Sequence, residues 1–153
     1  MGELKKMLTE SKKLNIAIIL LFIINIIGLL FGITYAILAT LMPYHQEFLG
    51  LTPSQISNYN SRLMFFIGVL IRMSGLAGVI IAITNLFILN YSFRNKEKWS
   101  WKVFLITGLI YDIPMLIVTY TITGPVGGPF LIFCLVTALF IIAMGISYKE
   151  IFG

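Results

Sequence analysis

The chain has 153 residues, of which 59% are hydrophobic and 11% are charged, and its formal net charge is +5. Soluble domains carry about 25% charged residues, so this composition excludes an ordinary soluble domain and places the chain among membrane proteins. The basic residues flank the apolar runs, so they indicate membrane topology rather than a nucleic-acid surface. We expect residues 1–153 to form a single integral membrane domain.

The first apolar run, residues 14–42, predicts a membrane-spanning helix. It is much longer than the roughly 7–15 apolar residues of a signal peptide, so we expect it to remain in the membrane. Gly28 and Gly32 form a GxxxG pattern, which lets another helix approach closely. This pattern predicts a helix contact inside the bundle or, as the alternative, a dimer face. Pro43 closes the run, since the residue before a proline avoids helical geometry.

The first loop, residues 43–61, contains no lysine or arginine. Its Thr-Pro-Ser-Gln sequence at residues 52–55 predicts the start of a short surface helix over about residues 53–60. His45 and Glu47 are the candidates for acid–base catalysis in this loop. The polarity expected of any loop explains both residues equally well.

The second apolar run, residues 63–89, contains an arginine at position 72. A charged side chain within a membrane span must face a partner, water or a ligand. At helical spacing, one stripe collects the small and polar residues of this run: Ser61, Gly68, Arg72, Gly75, Gly78, Ala82 and Asn85. The stripe predicts a helix-packing face, with glycines 68, 75 and 78 at the contact.

Two further spans are predicted at residues 103–122 and 128–146. The third contains Tyr111-Asp112-Ile113-Pro114, where the proline removes one backbone hydrogen bond from the helix. The fold class is therefore an all-α membrane protein with four transmembrane helices in an antiparallel bundle and a short surface helix in the first outer loop.

The distribution of basic residues predicts the orientation of the bundle. Lysine and arginine are concentrated at the N-terminus, in the second loop and at the C-terminus, whereas the first loop before Arg62 and the third loop have none. The positive-inside rule then puts both termini in the cytoplasm and the first and third loops outside the cell membrane.

This orientation places Arg72 and Asp112 at matching depth in the outer half of the membrane. Since their charges are opposite, we expect them to form an ion pair. The pair either locks the bundle or belongs to a polar cavity that opens outward, lined by Arg72, Asp112, Tyr111 and Tyr35. Such a cavity would hold the head of a lipid, a quinone or another amphiphile, with the arginine recognising phosphate or carboxylate.

The favoured function is non-enzymatic: binding of a lipid-like amphiphile, or service as an accessory subunit of a membrane complex. The alternatives are an enzyme that acts on a lipid or quinone at the outer leaflet and a path for protons or small solutes. No cofactor or metal is expected, because His45 and the distant Cys134 make a poor metal site. Expected partners are membrane lipids, an amphiphilic ligand and a larger membrane complex or a second copy of the chain, without nucleic acid.

Four short motifs carry a resemblance to a known group of proteins: Met42-Pro43-Tyr44-His45, Phe48-Leu49-Gly50, Arg72-Met73-Ser74-Gly75 and the basic turn from Phe93 to Trp99. Over about residues 42–101 the chain resembles small, uncharacterised four-helix membrane proteins of prokaryotes. At the level of four short spans it is also similar to DoxX-like proteins. The first resemblance implies no activity, but it implies that the Pro-Tyr-His loop and Arg72 belong to one site.

Overall fold

The computed structural model describes residues 11–153, and the regular structure among these residues is helical throughout. Four long helices and two short ones follow in chain order: α1 (Lys12–Leu38), α2 (Pro43–Leu49), α3 (Pro53–Tyr59), α4 (Ser61–Ile88), α5 (Lys98–Thr123) and α6 (Gly128–Phe152). Helices α1, α4, α5 and α6 are each long and apolar enough to cross a membrane. The predicted all-α membrane fold is confirmed.

Three of the four spans are longer than predicted, and the first is shorter. Helix α1 ends at Leu38 because Ala39 adopts a left-handed conformation with φ 47°, and the Ala39 N–H donates to the carbonyl oxygen of Tyr35 at 3.1 Å. Helix α4 continues into a π-helical turn, Leu89–Phe93. Helix α5 begins at Lys98 and so includes Trp99 and Trp101, and α6 continues beyond position 146 to Phe152.

The first loop contains two short helices rather than one. Helix α3 begins as predicted: Thr52 Oγ1 accepts from the Gln55 N–H, and Gln55 Oε1 accepts from the Thr52 N–H at 2.8 Å. Helix α2 was not predicted, because its reciprocal cap is a histidine: His45 Nδ1 accepts a hydrogen bond from the Met42 N–H at 3.2 Å. The usual residue at this position is glutamate or glutamine.

The four long helices surround an interior that is closed on three sides. Helix α1 packs against both α4 and α6, and α6 packs against α5. In contrast, α4 and α5 make only marginal contact along their spans and meet through the π-helical turn. The side between α4 and α5 is therefore the open side of the bundle.

The packing density differs between the two ends of the bundle. We call one end of the bundle the terminal end; it holds residue 11, the turn at residues 94–97 and residue 153. The other end, the loop end, holds residues 39–60 and 124–127. Most of the large buried apolar side chains lie toward the terminal end, including Leu14, Ile18, Leu21, Leu89, Phe93, Phe104 and Met144. At this end the Ser11 hydroxyl also donates to Glu150 at 2.7 Å, and Trp101 Nε1 donates to the carbonyl oxygen of Met144 at 3.1 Å.

Helices α1 and α4 approach each other through glycines. A Cβ atom added at Gly32 would lie 2.8 Å from the backbone nitrogen of Val79, and one at Gly75 would lie 2.7 Å from the carbonyl oxygen of Gly32. At Gly68 it would lie 2.9 Å from the carbonyl oxygen of Ala39. This line of contact, made by Gly32, Gly68 and Gly75, is called here the α1–α4 seam. Only residues without a Cβ allow backbones this close.

Candidate functional site

The ion pair expected between Arg72 and Asp112 is not formed, and this prediction is wrong. Within residues 11–153 no basic and acidic side chains come within 4.0 Å of each other. At about 100° per residue, Arg72 lies about 60° to one side of Gly75, whereas Gly78 lies about 60° to the other side. Gly75 belongs to the α1–α4 seam, so the packed backbone of α1 separates Arg72 from the interior face of α4.

Asp112 lies at a cavity in the middle of the bundle, where all four long helices contribute to the wall. The cavity has a volume of about 100 Å³. Its wall is mostly apolar and includes Leu21, Ile24, Phe31, Ile81, Val136 and Phe140. The polar groups on it are Asp112, Tyr111 and Thr107 from α5, Asn25 from α1 and Asn85 from α4.

The Asp112 side chain is buried without a hydrogen-bond donor from the described part of the protein. Only 8% of the residue's surface is exposed. No side chain or backbone group of residues 11–153 donates to either carboxyl oxygen, and no cation lies within ion-pair distance. A buried carboxyl group needs a proton, a donor or a cation to offset its lost hydration. The Asp112 carboxyl is therefore available to a molecule that enters the cavity.

The amide and hydroxyl groups nearby are only partly used by the protein. Asn25 is 6% exposed, and its Nδ2 donates to the carbonyl oxygen of Leu21 at 2.7 Å. No described group donates to its Oδ1. Thr107 Oγ1 donates to the carbonyl oxygen of Val103 at 2.8 Å, which leaves its oxygen lone pairs as acceptors. Asp112 therefore contributes only acceptors to the cavity, whereas Asn85 and Tyr111 contribute both donors and acceptors.

The four residues expected to form one polar site are distributed over three places. Tyr111 lies with Asp112 at the cavity, and it is 40% exposed. Tyr35 is not part of the cavity wall; its ring packs edge-on against the ring of His45, with a centroid distance of 6.3 Å. Arg72 lies in a separate groove at the loop end.

His45 and Glu47 do not form an acid–base pair. The Nδ1 atom of His45 is occupied by the Met42 N–H, and no hydrogen bond joins the two side chains in the described residues. The His45 ring also lies 4.2 Å from the ring of Tyr44, between centroids. Burial lowers the pKa of His45, because the charged imidazolium is poorly hydrated there. This geometry gives His45 a structural role as the cap of α2.

Sequence reasoning did not find the cavity face of α5. Phe104 and Gly108 line the cavity together with Asp112, from which they lie eight and four residues away, a helical spacing. Thr107 also lines the cavity and lies four residues before Tyr111. A Cβ added at Gly108 would overlap the Phe140 ring of α6, so a side chain there would require that ring to move. Extending the helical faces of Tyr111 and Asp112 toward the start of α5 would have found these residues.

No protein-family model, curated protein or solved structure matches this chain. The class of protein is defined by the fold and the site alone: a small integral membrane protein with four apolar helices long enough to span the membrane and a partly polar interior cavity. No group of three or more metal-binding side chains occurs in residues 11–153. The resemblance to small prokaryotic four-helix membrane proteins stays a prediction.

Proposed function

We propose that this membrane protein binds an amphiphile whose polar head donates hydrogen bonds to Asp112. The observation that carries the proposal is the buried Asp112 carboxyl, which has no donor among the described residues and lies at a cavity. The apolar part of the ligand packs against the interior helix faces and leaves between α4 and α5, the open side of the bundle.

The chemistry of the wall selects the class of head group. Asp112 and Asn25 offer acceptors, and Arg72 is not in the wall. A head with N–H or O–H groups, such as an amine or an alcohol, satisfies these acceptors. A phosphate or carboxylate head has only acceptors of its own and meets the Asp112 carboxyl, so its binding here is disfavoured.

The size of the cavity limits the ligand to a small head with an external chain. An engineered apolar cavity of about 150 Å³ holds benzene, so a cavity of about 100 Å³ holds a group of a few heavy atoms. A long hydrocarbon chain does not fit inside and must extend into the lipid. Small ligand sites in helical bundles are commonly built this way, from apolar walls with a few polar groups.

The other functions considered receive less support from the geometry. An accessory subunit was expected to use its GxxxG face for the partner, but Gly32 is already in contact with α4. An enzyme was expected to use His45, whose Nδ1 caps α2. A path for protons or solutes would cross the apolar layer around Phe93 and Phe104 at the terminal end, where both rings are almost fully buried.

Equilibrium binding of three probes with the same chain tests the proposal: tetradecylamine, tetradecanol and tetradecanoate, measured by native mass spectrometry on detergent-solubilised protein. We expect the amine and the alcohol to bind in preference to the carboxylate. Asp112→Asn replaces an acceptor oxygen by a donor at constant size and should weaken amine binding about tenfold or more, the effect of losing one charge-assisted hydrogen bond.

The matched control is Glu47→Gln, which makes the same chemical change at an exposed carboxylate of α2. It should leave the affinity for all three probes unchanged. Equal binding of the three probes to the wild-type protein, or equal amine binding by the wild-type protein and Asp112→Asn, would contradict the proposal.

A further inference from the structure

We propose that Arg72 binds the phosphate group of an anionic headgroup in a second site, at the loop end of the bundle. The site is a groove of about 300 Å³ between α3, α4 and the end of α1. Its lining is Ala39, Ser57, Ser61, Met64, Phe65, Gly68, Val69 and Arg72. It shares no residue with the cavity at Asp112, and it does not depend on amphiphile binding there.

The guanidinium group of Arg72 is only partly satisfied by the protein. Its Nε–H donates to the carbonyl oxygen of Ala36 at 3.3 Å. Ala36 lies in the last turn of α1, where carbonyl groups lack intrahelical partners and a cation is favourable. No described residue accepts from the two terminal nitrogens, and no carboxylate of residues 11–153 pairs with the charge.

The position of Arg72 in a membrane span favours an anionic partner. The residue lies about 16 Å along α4 from Ser61 by helical rise, so its backbone is far inside the apolar layer. An arginine at such a depth extends its side chain toward the headgroup region and pairs with an anion there. Its planar guanidinium matches the oxygens of a phosphate group through two parallel hydrogen bonds.

The groove that Arg72 lines also carries neutral hydrogen-bond donors. The hydroxyl groups of Ser57 on α3 and Ser61 at the start of α4 line the groove, and neither has a hydrogen-bond partner among residues 11–153. Two structural features keep the groove in shape. Ile56 is buried and fixes α3 against α4, and Gly68 lets the left-handed turn at Ala39 approach α4 closely.

The phosphate group can come from a membrane lipid or from free phosphate, and one experiment distinguishes the two. The protein is reconstituted in nanodiscs with equal amounts of phosphatidylglycerol and phosphatidylcholine, and the lipids that remain bound are counted by native mass spectrometry. We expect retained phosphatidylglycerol to exceed phosphatidylcholine in the wild-type protein. Displacement by added inorganic phosphate identifies a site for the phosphate group alone; resistance to displacement identifies a site that also needs the lipid chains.

Two variants and one control assign the effect to the groove. Arg72→Gln should reduce the preference for phosphatidylglycerol about tenfold, as expected for loss of a charge-assisted hydrogen-bonded pair. Arg62→Gln removes the same charge at an exposed position outside the groove and should preserve the preference.

If Arg72→Gln does not fold because α1 loses its cap, the double variant Ser57→Ala/Ser61→Ala leaves Arg72 in place and should still weaken the preference. Equal lipid retention by wild-type protein and both groove variants, or an equal loss in Arg62→Gln, would overturn the proposal.

Discussion

Asp112 is the buried residue that is most informative about function. Its carboxyl group is buried beside apolar side chains and receives no hydrogen bond from the described residues. An unsatisfied buried polar group costs free energy that a hydrophobic residue of similar size does not. Such a cost is commonly found where binding requires a polar group in an apolar place.

Replacement of this carboxyl by an apolar side chain should stabilise the protein. We expect Asp112→Leu to raise the free energy of unfolding by about 1–3 kcal/mol, because it removes a desolvated acceptor and fills part of the cavity. Circular dichroism during chemical denaturation in detergent measures this change.

The control for this substitution is Glu47→Leu, made on the exposed surface of α2. It should change the stability by less than about 0.5 kcal/mol, as is usual for exposed positions. A loss of stability in Asp112→Leu would show that the carboxyl makes a stabilising contact and is not available to a ligand.

At the scale of single residues, the sequence identified both unusual side chains but paired them incorrectly. Arg72 and Asp112 are conspicuous because charged residues are rare in membrane spans. The small, polar stripe of α4 includes Arg72 on one side and Asn85 on the other, about 140° apart by helical spacing. The α1–α4 seam runs between Arg72 and Asn85. The sequence of α4 alone does not show which of the other helices packs against the middle of its small, polar stripe.

At the scale of helices, the α1–α4 seam determines the shape of the molecule. The carbonyl oxygen of Gly32 lies close to Gly75, and α4 is thereby held against α1 rather than against α5. The gap between α4 and α5, and so the access to the cavity, follows from this contact.

A large side chain in the seam should separate the two helices. We expect Gly75→Leu to lower the free energy of unfolding by about 1–3 kcal/mol or more, since a Cβ alone would lie 2.7 Å from the carbonyl oxygen of Gly32. Thermal unfolding in detergent, followed by circular dichroism, measures this effect.

Gly28→Leu is the matched control, because Gly28 lies on the same helix as Gly32 but a Cβ there meets no atom within 4 Å. Since Gly28 lines the cavity, this variant should fold normally and lose tetradecylamine binding. If Gly75→Leu and Gly28→Leu lower the free energy of unfolding by the same amount, the close contact proposed for the α1–α4 seam is contradicted.

The four spans and the start of α3 could be predicted, whereas the end of α1, the start of α5 and the presence of α2 could not. The cap at Thr52 and Gln55 is a local pattern and is visible in the sequence. The end of α1 depends on Ala39, a residue with no intrinsic preference for a left-handed conformation. Its conformation is compatible with the close contact between Ala39 and Gly68, which is a tertiary feature.

At the scale of the whole molecule, the terminal end is densely packed, the middle contains the cavity, and the loop end carries the Arg72 groove. The two polar sites therefore lie on different faces and differ in charge. The predicted orientation would place the groove toward the outer leaflet.

The orientation can be tested with single cysteines in a Cys134→Ser background. We expect Asn58→Cys, on exposed α3, to react with a membrane-impermeant maleimide on intact cells. Asn95→Cys, in the basic turn between α4 and α5, should react only after the cells are opened, since basic loops remain in the cytoplasm. The reverse labelling pattern would show that the bundle is inserted the other way round.

The availability of Asp112 to molecules in the membrane is most directly measured by reaction with dicyclohexylcarbodiimide, an apolar reagent that modifies carboxyl groups from the lipid phase. Mass spectrometry of peptides from protein treated in nanodiscs locates the adduct. We expect an N-acylurea at Asp112, and we expect tetradecylamine to prevent its formation. Absence of an adduct at Asp112 under conditions that modify other carboxyl groups, or an adduct that tetradecylamine does not reduce, would contradict the binding site proposed here.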